Sequence, residues 1–586
     1  MFPPVSVPRP NRIRTAAAAF LLTAASNCSA PGAPVPGNEA TGKQPVADII
    51  FLGNHIIPMD GSSIEAVAVV GDTIAATGAR NAVLAMRGEG TRVVELGERA
   101  LLPGFIDTHS HLPFVGATTL MANLASPPVG TSETVADILE KLSEKITAEQ
   151  ITPGTWVLGY GYDDSLLADQ RHPTRQDLDK VSTEHPIVLL HVSGHLMATN
   201  SKALEIAGIT AETPEPAGGH IQRYASGEPN GVLEETATYP LRQYMLEASP
   251  EAFEKQVNAA VQVYAAQGFT TVQDGGSSPA VVGALKGLSA KAVFPIDIVL
   301  YPIMTGAIAC TQENFYEAQY ERGVRVGGVK FMIDGSPQGR TAFLTQPYAL
   351  PPEGKGADYR AYPAIEAGYY FSKIDECLDN GVPTLSHANG DAAIDMMLDG
   401  VESAVAGEEK LPDHRAVIIH AQLIREDQLD RVADLGVVPS FYSAHPFFWG
   451  DWHKVIFGPE RASRISPLRS AINRGIHFTI HNDAPVIPPM SMRLAEITVT
   501  RKTRSGVVLG EEQRVTAYEA LYALTMGGAY QYFEEDSKGS ITTGKRADLV
   551  VLETDPLLID PDALGEVAIV ETIARGKSVY VNPDFE

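Results

Sequence analysis

The sequence predicts an α/β protein, namely a (β/α)8 barrel of the TIM type with a small β-sandwich domain formed from both ends of the chain. Apolar runs alternate with helical segments through the middle of the chain, as expected of parallel strands buried on both faces. Many of these runs end in polar residues, which is typical of barrels whose active site lies at the carboxyl ends of the strands. Short β-rich runs broken by Gly, Asp and Asn occupy the two ends. An open doubly wound sheet is the alternative, but no Gly-rich phosphate turn follows the first apolar run.

We expect five segments in the chain of 586 residues. They are an export signal at residues 1–30, a linker at 31–46, the first part of the β-sandwich at 47–103, the barrel at 104–539 and its second part at 540–586. The barrel carries an insertion at about residues 125–250, because 219 residues separate His111 from Lys330, far more than three βα units require.

The first residues read as an export signal. A basic start precedes an apolar core at residues 16–25, and small residues follow at Cys28 and Ala30. The core is too short to remain in a bilayer as a spanning helix. Two outcomes stay open: cleavage near Ala30, or lipid attachment at Cys28 that would anchor an exported, periplasmic protein to the membrane. A disordered cytosolic tail is the alternative.

Composition excludes several partners and ligands. The net charge of −26 would repel a phosphate backbone, so we expect no nucleic acid partner. Three cysteines, Cys28, Cys310 and Cys377, are too few and too scattered for a disulfide framework or a thiolate metal site. Any bound metal must therefore use nitrogen and oxygen ligands.

Two histidines follow an apolar run in LLPGFIDTHSHL. Side chains two apart on a strand point to the same face, so His109 and His111 can share one metal ion, although a polar loop after a buried strand is the alternative. Later apolar runs also carry or precede polar residues. The candidates are Lys330, His387, His420 and Asp483.

The spacing of these candidates matches βα units. His387 lies 57 residues after Lys330, His420 lies 33 after His387, and Asp483 lies 63 after His420. With the histidine pair on strand 1, the other four fall on strands 4, 5, 6 and 8. Neutral imidazoles and a carboxylate at strand ends suit Zn²⁺ or a similar divalent ion.

At this point the chain resembles the amidohydrolase superfamily. The phrases LPGFIDTHSHL, VKFMIDGS, SHANGD, NDAPV and KRADLVVL are similar to its amidohydrolase-3 branch, which includes enzymes similar to N-substituted formamide deformylase. TNSKAL and GEPNGVLEETA in the insertion match the same branch, and the resemblance covers about residues 47–583. One departure is His481 in IHNDAP, where a small residue is expected, and this raises a question about local packing.

The resemblance implies a metal centre of one or two ions, with zinc expected. Its ligands would be the six residues His109, His111, Lys330, His387, His420 and Asp483. Lys330 would bridge two ions as a carbamate formed with CO₂. A buried Lys330 amine paired with Asp334 is the alternative, and it favours a single metal with fewer ligands.

The predicted activity is hydrolysis of a non-peptide amide of a small molecule by metal-bound hydroxide. Asp483 would accept the hydroxide proton and pass it to the leaving nitrogen. His195 would orient the substrate or stabilise the oxyanion, with packing as the alternative, whereas Glu234 and Arg340 are weaker candidates. The aromatic segment at residues 441–453 could line an apolar pocket or form a packed loop.

Other functions stay open. The same site could hydrolyse a cyclic amide, a carbamate or an ester, or deaminate its substrate. An exported binding protein that has lost catalysis is the third hypothesis, although its expected sign, a missing ligand, is not seen. A homo-oligomer is also left open.

Overall fold

The computed structural model describes the chain from Pro45 to Phe585, with gaps. The gaps are residues 165, 193, 195, 217–218, 246–248, 353–354 and 408–410. The predicted export signal, which includes Cys28, lies outside the described residues. Residues 31–44 of the predicted linker also lie outside them.

The described chain begins with a four-stranded sheet. A two-residue turn joins its second and third strands in sequence, and one short helix lies between the third strand and the fourth. The elements of this part are β1 (Ile49–Leu52), β2 (Ala66–Val70), β3 (Thr73–Gly78), α1 (Arg80–Leu84), β4 (Arg92–Glu95) and β5 (Ala100–Pro103). The sheet has the order β3-β2-β1-β4, while β5 joins a different sheet formed with the end of the chain.

A second sheet lies in the region predicted to be an insertion. From residue 105 to residue 245 the elements are β6 (Phe105–Ile106), α2 (Leu112–Thr119), β7 (Ala122–Asn123), α3 (Val135–Ala148), β8 (Val157–Tyr162), α4 (Arg175–Leu178), β9 (Ile187–His191), β10 (Leu196–Thr199), α5 (Ser201–Ala207), β11 (Gly219–Arg223), β12 (Pro229–Glu235) and α6 (Tyr239–Met245), of which β6, α2 and β7 precede the predicted insertion. Six of its strands pair in the order β11-β12-β10-β9-β8-β7. Helix α3 begins at Thr134, whose side chain accepts the backbone N–H of Asp137 in a capping box.

Eight further strands continue a parallel arrangement. With their helices they are α7 (Pro250–Ala266), β13 (Phe269–Ser277), α8 (Pro279–Lys291), β14 (Asp297–Pro302), α9 (Gln312–Phe315), β15 (Val324–Val326), β16 (Val329–Met332), α10 (Ala367–Asp379), β17 (Thr384–Ala388), α11 (Asp391–Val405), β18 (Val417–His420), α12 (Glu426–Leu435), β19 (Val438–Phe441), α13 (His445–Ile456), α14 (Pro459–Ser463), α15 (Leu468–Asn473), β20 (Thr479–Ile480) and α16 (Ser491–Thr500).

These strands form two parallel sheets that follow chain order. One has the order β6-β13-β14-β15 and the other runs from β16 to β20 without a reversal. A doubly wound sheet would reverse its order at a switch point. Strands β15 and β16 are separated by Gly327 and Gly328, and a side chain at Gly328 would lie 2.1 Å from the carbonyl oxygen of Pro383. The fold is therefore mixed α/β, and the closed barrel stays a prediction.

The end of the chain returns to the beginning. Its elements are α17 (Ala517–Ala523), α18 (Met526–Gln531), β21 (Leu549–Leu552), β22 (Ile569–Ala574) and β23 (Lys577–Val581). The sheet β23-β22-β21-β5 shares one hydrophobic core with strands from the first sheet, including Phe51, Val67, Leu549 and Ile573. Both ends of the chain thus contribute to one core, and the sandwich form of the two sheets stays a prediction.

The cysteines require a correction. Cys310 and Cys377 form a disulfide although 67 residues separate them in sequence. Cys310 follows β14 and Cys377 lies on α10, so packing brings together two residues that sequence spacing alone made look unrelated. No helix among the described residues is long and apolar enough to cross a membrane.

Candidate active site

The first predicted ligands lie in a buried loop that follows β6. Thr108, His109 and Ser110 are almost fully inaccessible, whereas the side chain of His111 is about two-fifths exposed. The backbone N–H of Asp483 donates to the carbonyl of His109 at 3.0 Å, which joins this loop to the segment that follows β20. The two segments therefore position His109 and Asp483 together.

Gln273 on β13 orients the His109 ring. The side-chain amide of Gln273 donates to the carbonyl of Thr108 and to the hydroxyl of Tyr532 at 2.7 and 2.9 Å. Its Oε1 must therefore accept a hydrogen bond from His109 Nδ1, at 2.8 Å, which leaves Nε2 of His109 as the unprotonated nitrogen. A side chain at Gly275 would lie 2.3 Å from His109 Nδ1, so this approach requires glycine.

Asp107 and Ser110 fix the same loop through hydrogen bonds. Ser110 Oγ donates to Asp107 Oδ2 at 2.6 Å, and the backbone N–H of Ala484 donates to Ser110 Oγ at 3.0 Å. Burial raises the pKa of Asp107 to about 6, against these hydrogen bonds. Asp107 was not among the predicted site residues, although it stands only two residues before His109 in the sequence.

Lys330 lies on β16 with its amine inside the site. The side chain is 1% exposed, and its Nζ lies 3.1 Å from His109 Nε2. Burial lowers the pKa of Lys330 to about 7, although the charge of Asp483 opposes the shift. Among the described residues, no carboxylate lies within 4.0 Å of this amine.

Asp334 does not pair with Lys330, so that alternative is wrong. The carboxylate accepts the backbone N–H groups of Phe343, Asn389 and Gly390 at 2.8 to 3.0 Å. It also accepts His387 Nδ1 at 3.1 Å. These four donors occupy Asp334, which therefore orients the His387 ring and leaves its Nε2 as the potential ligand atom.

His481 has the same orienting role for His420. Its Nε2 lies 3.1 Å from Nδ1 of His420, and its Nδ1 lies 2.8 Å from Ser440 Oγ. The ring of Tyr442 stacks on His481 with centroids 5.5 Å apart. The residue that departs from the expected small side chain therefore fits a buried position, and the packing question is answered.

The candidate ligand atoms converge. Asp483 Oδ1 lies 3.6 Å from His109 Nε2 and 3.5 Å from His111 Nε2. The rings of His387 and His420 have centroids 4.6 Å apart. One ligand atom each from His109, His420 and Asp483 lie within 4.8 Å of one another, and we call these three residues the strand-end cluster. His111 lies against Asp483, Lys330 against His109 and His387 against His420, so each of the other three predicted ligands contacts one member of the cluster.

The donor set fits a divalent cation. Burial and the neighbouring Lys330 hold the pKa of His109 well below its ordinary value. Burial and the neighbouring His387 do the same to the pKa of His420, and burial lowers the pKa of His481 to about 3. Neutral imidazoles whose outer nitrogens are already hydrogen-bonded present their remaining lone pairs inward, as metal ligands require.

Three residues of this site have a strained backbone. His420, Ala421 and Asp483 have φ angles of +80°, +48° and +53°, in the left-handed region that residues with a Cβ rarely adopt. Strain of this kind persists where the surrounding structure imposes it, and it is often found at functional sites.

The other candidates lie elsewhere. His195 lies outside the described residues, so its role stays a prediction. Glu234 accepts the side-chain amide of Gln222 at 2.8 Å within the insertion sheet. Arg340 donates to the carbonyl of Pro351 at 3.1 Å. The structure brings neither Glu234 nor Arg340 to the strand-end cluster.

The insertion holds a second group of histidine and carboxylates. Asp163, Asp164 and His191 can each offer one ligand atom within 4.8 Å of the others, and we call them the insertion cluster. Here His191 Nε2 lies 3.1 Å from Asp164 Oδ1, within hydrogen-bond distance. In the insertion cluster, therefore, the histidine nitrogen and one carboxylate oxygen that could bind an ion already contact each other.

A cavity of about 270 Å³ lies beside the strand-end cluster. Its wall includes Pro485, two residues after Asp483, and Tyr160, whose hydroxyl donates to the carbonyl of Pro485 at 2.9 Å. Phe448 and Trp449 also line it, so the aromatic segment at residues 441–453 contributes to an apolar pocket.

Comparison with known proteins agrees with this fold and site. The profile of the amidohydrolase family, of the type named Amidohydro_3, matches residues 92–580. N-substituted formamide deformylase of Arthrobacter pascens is 26% identical over 91% of this chain and 98% of its own length. The putative amidohydrolase YtcJ of Bacillus subtilis is 28% identical over 91% and 99%. The structure of an uncharacterised metal-dependent hydrolase from Pyrococcus horikoshii has a TM-score of 0.69 at 21% identity, over 88% of this chain and 99% of its own.

Fold and site thus define a metal-dependent hydrolase. The chain belongs to the amidohydrolase family. It is an enzyme that acts on carbon–nitrogen bonds other than peptide bonds.

Proposed function

We propose that the protein hydrolyses a small-molecule amide at the strand-end cluster. The observation that carries this proposal is the convergence of one carboxylate, Asp483, with imidazoles whose outer nitrogens are held by Gln273, Asp334 and His481. Among amides, N-substituted formamides come first, because the relative from Arthrobacter pascens carries that name.

The site would hold zinc, as one ion or two, through His109, His111, Lys330, His387, His420 and Asp483. A bound divalent cation lowers the pKa of water and polarises a carbonyl group. Lys330 would join as a carbamate. Its buried amine has a lowered pKa, so part of it is neutral near pH 7 and can add to CO₂. Carboxylation would replace an unpaired buried cation with an anion, which favours a second ion.

Asp483 would move the proton. Its Oδ1 lies between the two histidines of the β6 loop, and the backbone N–H of Asp483 is held by the carbonyl of His109. In the forward reaction Asp483 takes a proton from the attacking water. It then gives that proton to the leaving nitrogen as the carbon–nitrogen bond breaks, so the amine leaves neutral.

The surrounding chain would exclude water from the reacting groups. The hydroxyl of Tyr160 donates to the carbonyl of Pro485, and the fully buried ring of Tyr442 stacks on His481. In such a site the proton passes between Asp483 and substrate with little loss to solvent.

Further proposals rest on sequence and strand order. We infer that the two parallel sheets close into a (β/α)8 barrel and that the sheets at the chain ends pack as a β-sandwich. The protein would be exported to the periplasm, with a membrane contact only through a lipid at Cys28. His195 would orient the substrate. We expect no nucleic acid partner, and a homo-oligomer is compatible with these proposals.

Metal analysis combined with a substrate panel tests the proposed function. Purified protein is assayed by mass spectrometry for bound metals, and amine release is measured from formyl, acetyl and aminoacyl amides. Cyclic amides, carbamates, esters and deaminase substrates are included as competitors. We expect bound zinc and the highest kcat/KM on an acyclic amide. Metal-free protein with full activity, or a competitor class with the highest kcat/KM, would contradict the proposal.

The variant Lys330→Ala tests the bridging role. Metal content and activity should both fall, and short carboxylic acids added to the assay should partly restore them by occupying the vacated space. Lys502→Ala is the matched control, because Lys502 is a surface residue whose Nζ lies 2.6 Å from Asp562. Undiminished activity in Lys330→Ala would show that the amine is structural.

A further inference from the structure

Strand β16, which carries Lys330, begins the second of the two parallel sheets. It pairs with β17 on one side, and among the described residues no strand pairs along its other side. There Lys330 instead forms an isolated bridge with Ile303, and its carbonyl accepts the backbone N–H of Met304 at 2.8 Å. On this side, therefore, the segment that follows β14 holds the backbone of Lys330. We call residues 303–311 the β14 loop.

The β14 loop has buried ends and an exposed middle. Met304, beside Lys330, is buried, and so is Cys310 near the other end. The five residues between them, 305–309, are all exposed and belong to no helix or strand. An exposed segment of this kind has little packing of its own, so its position depends on the contacts that fix it to the rest of the protein.

One face of helix α10 supplies polar contacts to this loop. The hydroxyl of Tyr369 and the amine of Lys373 donate to loop carbonyls at 2.9 and 2.8 Å, and both hydrogen bonds lie at the surface. Glu376 Oε1 accepts the backbone N–H of Cys310 at 3.1 Å. Water competes for such exposed groups, so each of these hydrogen bonds contributes little by itself.

The disulfide between Cys310 and Cys377 is the covalent contact between the loop and α10. Both cysteines are fully buried, and the 67 residues of sequence that separate them include β15, β16 and Lys330 itself. Helix α10 leads into β17, which carries His387. The disulfide thus joins the segment on one side of Lys330 to the helix that precedes the neighbouring strand on the other side, and it limits how far the two can separate.

We propose that this disulfide positions Lys330 for metal binding, so that the site reaches its full metal affinity only after Cys310 and Cys377 are oxidised. The inference rests on the proposed function, because it concerns Lys330 as a ligand. Without the disulfide, the β14 loop can move away from α10. The backbone of Lys330 then loses the support of Ile303 and Met304, and its amine moves with it.

Oxidation of the two thiols needs a disulfide compound as the oxidant. The thiols lose two protons and two electrons as the sulfur–sulfur bond forms, and the oxidant takes them up to become two thiols. Such bonds persist in oxidising compartments and are rare in the cytosol. Metal loading of this site would therefore follow export, which the first residues of the chain predict independently.

The double variant Cys310→Ala/Cys377→Ala tests this inference through metal affinity, without turnover. Alanine cannot bind zinc, so no free thiol complicates the measurement. Competition with a chelator should show zinc bound about tenfold or more weakly than in the parent, the size of effect found when a supporting partner of a metal ligand is lost. Zinc affinity equal to that of the parent would overturn the inference.

Val432→Ala is the matched control for a loss of stability alone. Val432 is a fully buried residue of α12, which follows β18, and its truncation also opens space in the core. We expect zinc affinity within about twofold of the parent, because distant sites act independently. If the control and the double variant have equal unfolding midpoints and equal losses of zinc affinity, general destabilisation explains both and the inference fails.

The parent chain gives a second measurement that needs no substitution. Protein produced in a reducing cytosol is purified without oxygen and then exposed to oxidised glutathione, while mass spectrometry follows the loss of the two thiol hydrogens. Zinc affinity should rise with the fraction of protein that contains the disulfide. An affinity that stays constant as the disulfide forms would overturn the inference.

The same cysteine substitutions in Lys330→Ala show whether the disulfide acts through Lys330. In that background they should change zinc affinity by less than about twofold, because the residue that they position is gone. An equal loss in both backgrounds would mean that the disulfide supports another ligand, and the inference would fail. If no amide is hydrolysed while zinc affinity still depends on both the disulfide and Lys330, the proposed reaction fails and the inference stands.

Discussion

The strand-end cluster and the insertion cluster contain the same types of residue but differ in how their polar atoms are satisfied. In the insertion cluster, His191 Nε2 is within hydrogen-bond distance of Asp164, so histidine and carboxylate pair directly. In the strand-end cluster, Asp483 Oδ1 lies 3.6 Å from His109 Nε2, and it lies 3.5 Å from Nε2 of the adjacent His111. Both distances are too long for a normal hydrogen bond. The comparison indicates that hydrogen bonds to the Nδ1 atoms of the histidines, more than residue type, leave the other ligand atoms available for an ion.

Asp483→Asn is the variant expected to have the largest effect on activity, and it tests the difference between the two clusters most strongly. Asparagine has nearly the same shape and can still offer an oxygen to a metal, but it cannot accept a proton. We expect kcat to fall by about 10²–10⁴-fold or more, because one group serves both the attack and the departure steps. Metal content is measured alongside the rate. A variant that keeps its metal and hydrolyses its best amide within about threefold of the parent would show that the proton moves elsewhere.

Gln273→Leu tests the outer hydrogen bonds directly. Leucine fills a similar volume but leaves His109 Nδ1 without its acceptor, so the ring is no longer held with Nε2 inward. We expect metal affinity to fall about 10- to 100-fold, as for other partners of metal-binding histidines. Competition with a chelator measures this affinity.

Gln531→Leu is the matched control for Gln273→Leu. Gln531 also donates to the carbonyl of Thr108, at 3.1 Å, but it makes no described contact with His109. Its substitution should leave metal affinity near that of the parent. Equal losses in the two variants would mean that damage to the Thr108 loop, and not to the histidine, explains the result.

His453 is a buried histidine that belongs to neither cluster, so it reports the effect of burial alone on a histidine pKa. Burial lowers the pKa of His453 to about 3, and its Nε2 has no partner. Because the folded pKa is below the unfolded value near 6.5, its stability contribution is present above pH 6.5 and is lost as pH falls toward 3. Between pH 7 and pH 5 we expect a loss of about 2 kcal/mol from this group.

The variant His453→Gln should therefore lose less stability on acidification than the parent. Unfolding midpoints measured at pH 7 and pH 5 give the comparison. The exposed His220, replaced by Gln, is the control and should leave the acid sensitivity as it is in the parent. An acid-induced loss in His453→Gln as large as in the parent would show that His453 is protonated in the folded state.

The smallest effect is expected for Asp164→Asn in the insertion cluster. Because His191 and its carboxylates already pair with one another, we expect the number of bound metal ions and the rate on the best amide to stay within about twofold of the parent. This variant also serves as the same-substitution control for Asp483→Asn. Loss of one bound metal ion per protein in Asp164→Asn would show that the insertion cluster also binds a metal ion.

Local pattern was enough to predict the ligand types. The two-residue spacing of His109 and His111 follows from the geometry of a strand, and the polar residues at or beyond strand ends follow from the alternation of strands and helices. Their positions after successive apolar runs made Lys330, His387, His420 and Asp483 candidates, and resemblance to a family then implied that all six residues are metal ligands. Counted along the two parallel sheets, with β15 and β16 as one interrupted strand, Lys330 and His387 lie on the fourth and fifth strands, and Asp483 follows the eighth.

The orienting partners could not be predicted from spacing. Gln273 is 164 residues from His109 in sequence, and Asp334 is 53 residues from His387. Nothing in a glutamine within FTTVQDGG marks it as a histidine partner, because its role depends on which strand lies next to β6. His481 attracted notice only as a departure, and its contact with His420 required both strands to be in place.

By itself, then, the amino-acid sequence determined the alternation of strands and helices, the residue types at the strand ends and their order, because these depend on short-range periodicity and on spacing along the chain. Only the tertiary structure decided that Asp334 orients His387 instead of pairing with Lys330, that Cys310 pairs with Cys377, and that Tyr160 and Phe448 line one cavity. The physical reason is that hydrogen bonds, disulfides and cavities depend on distances across the fold, which no local pattern encodes.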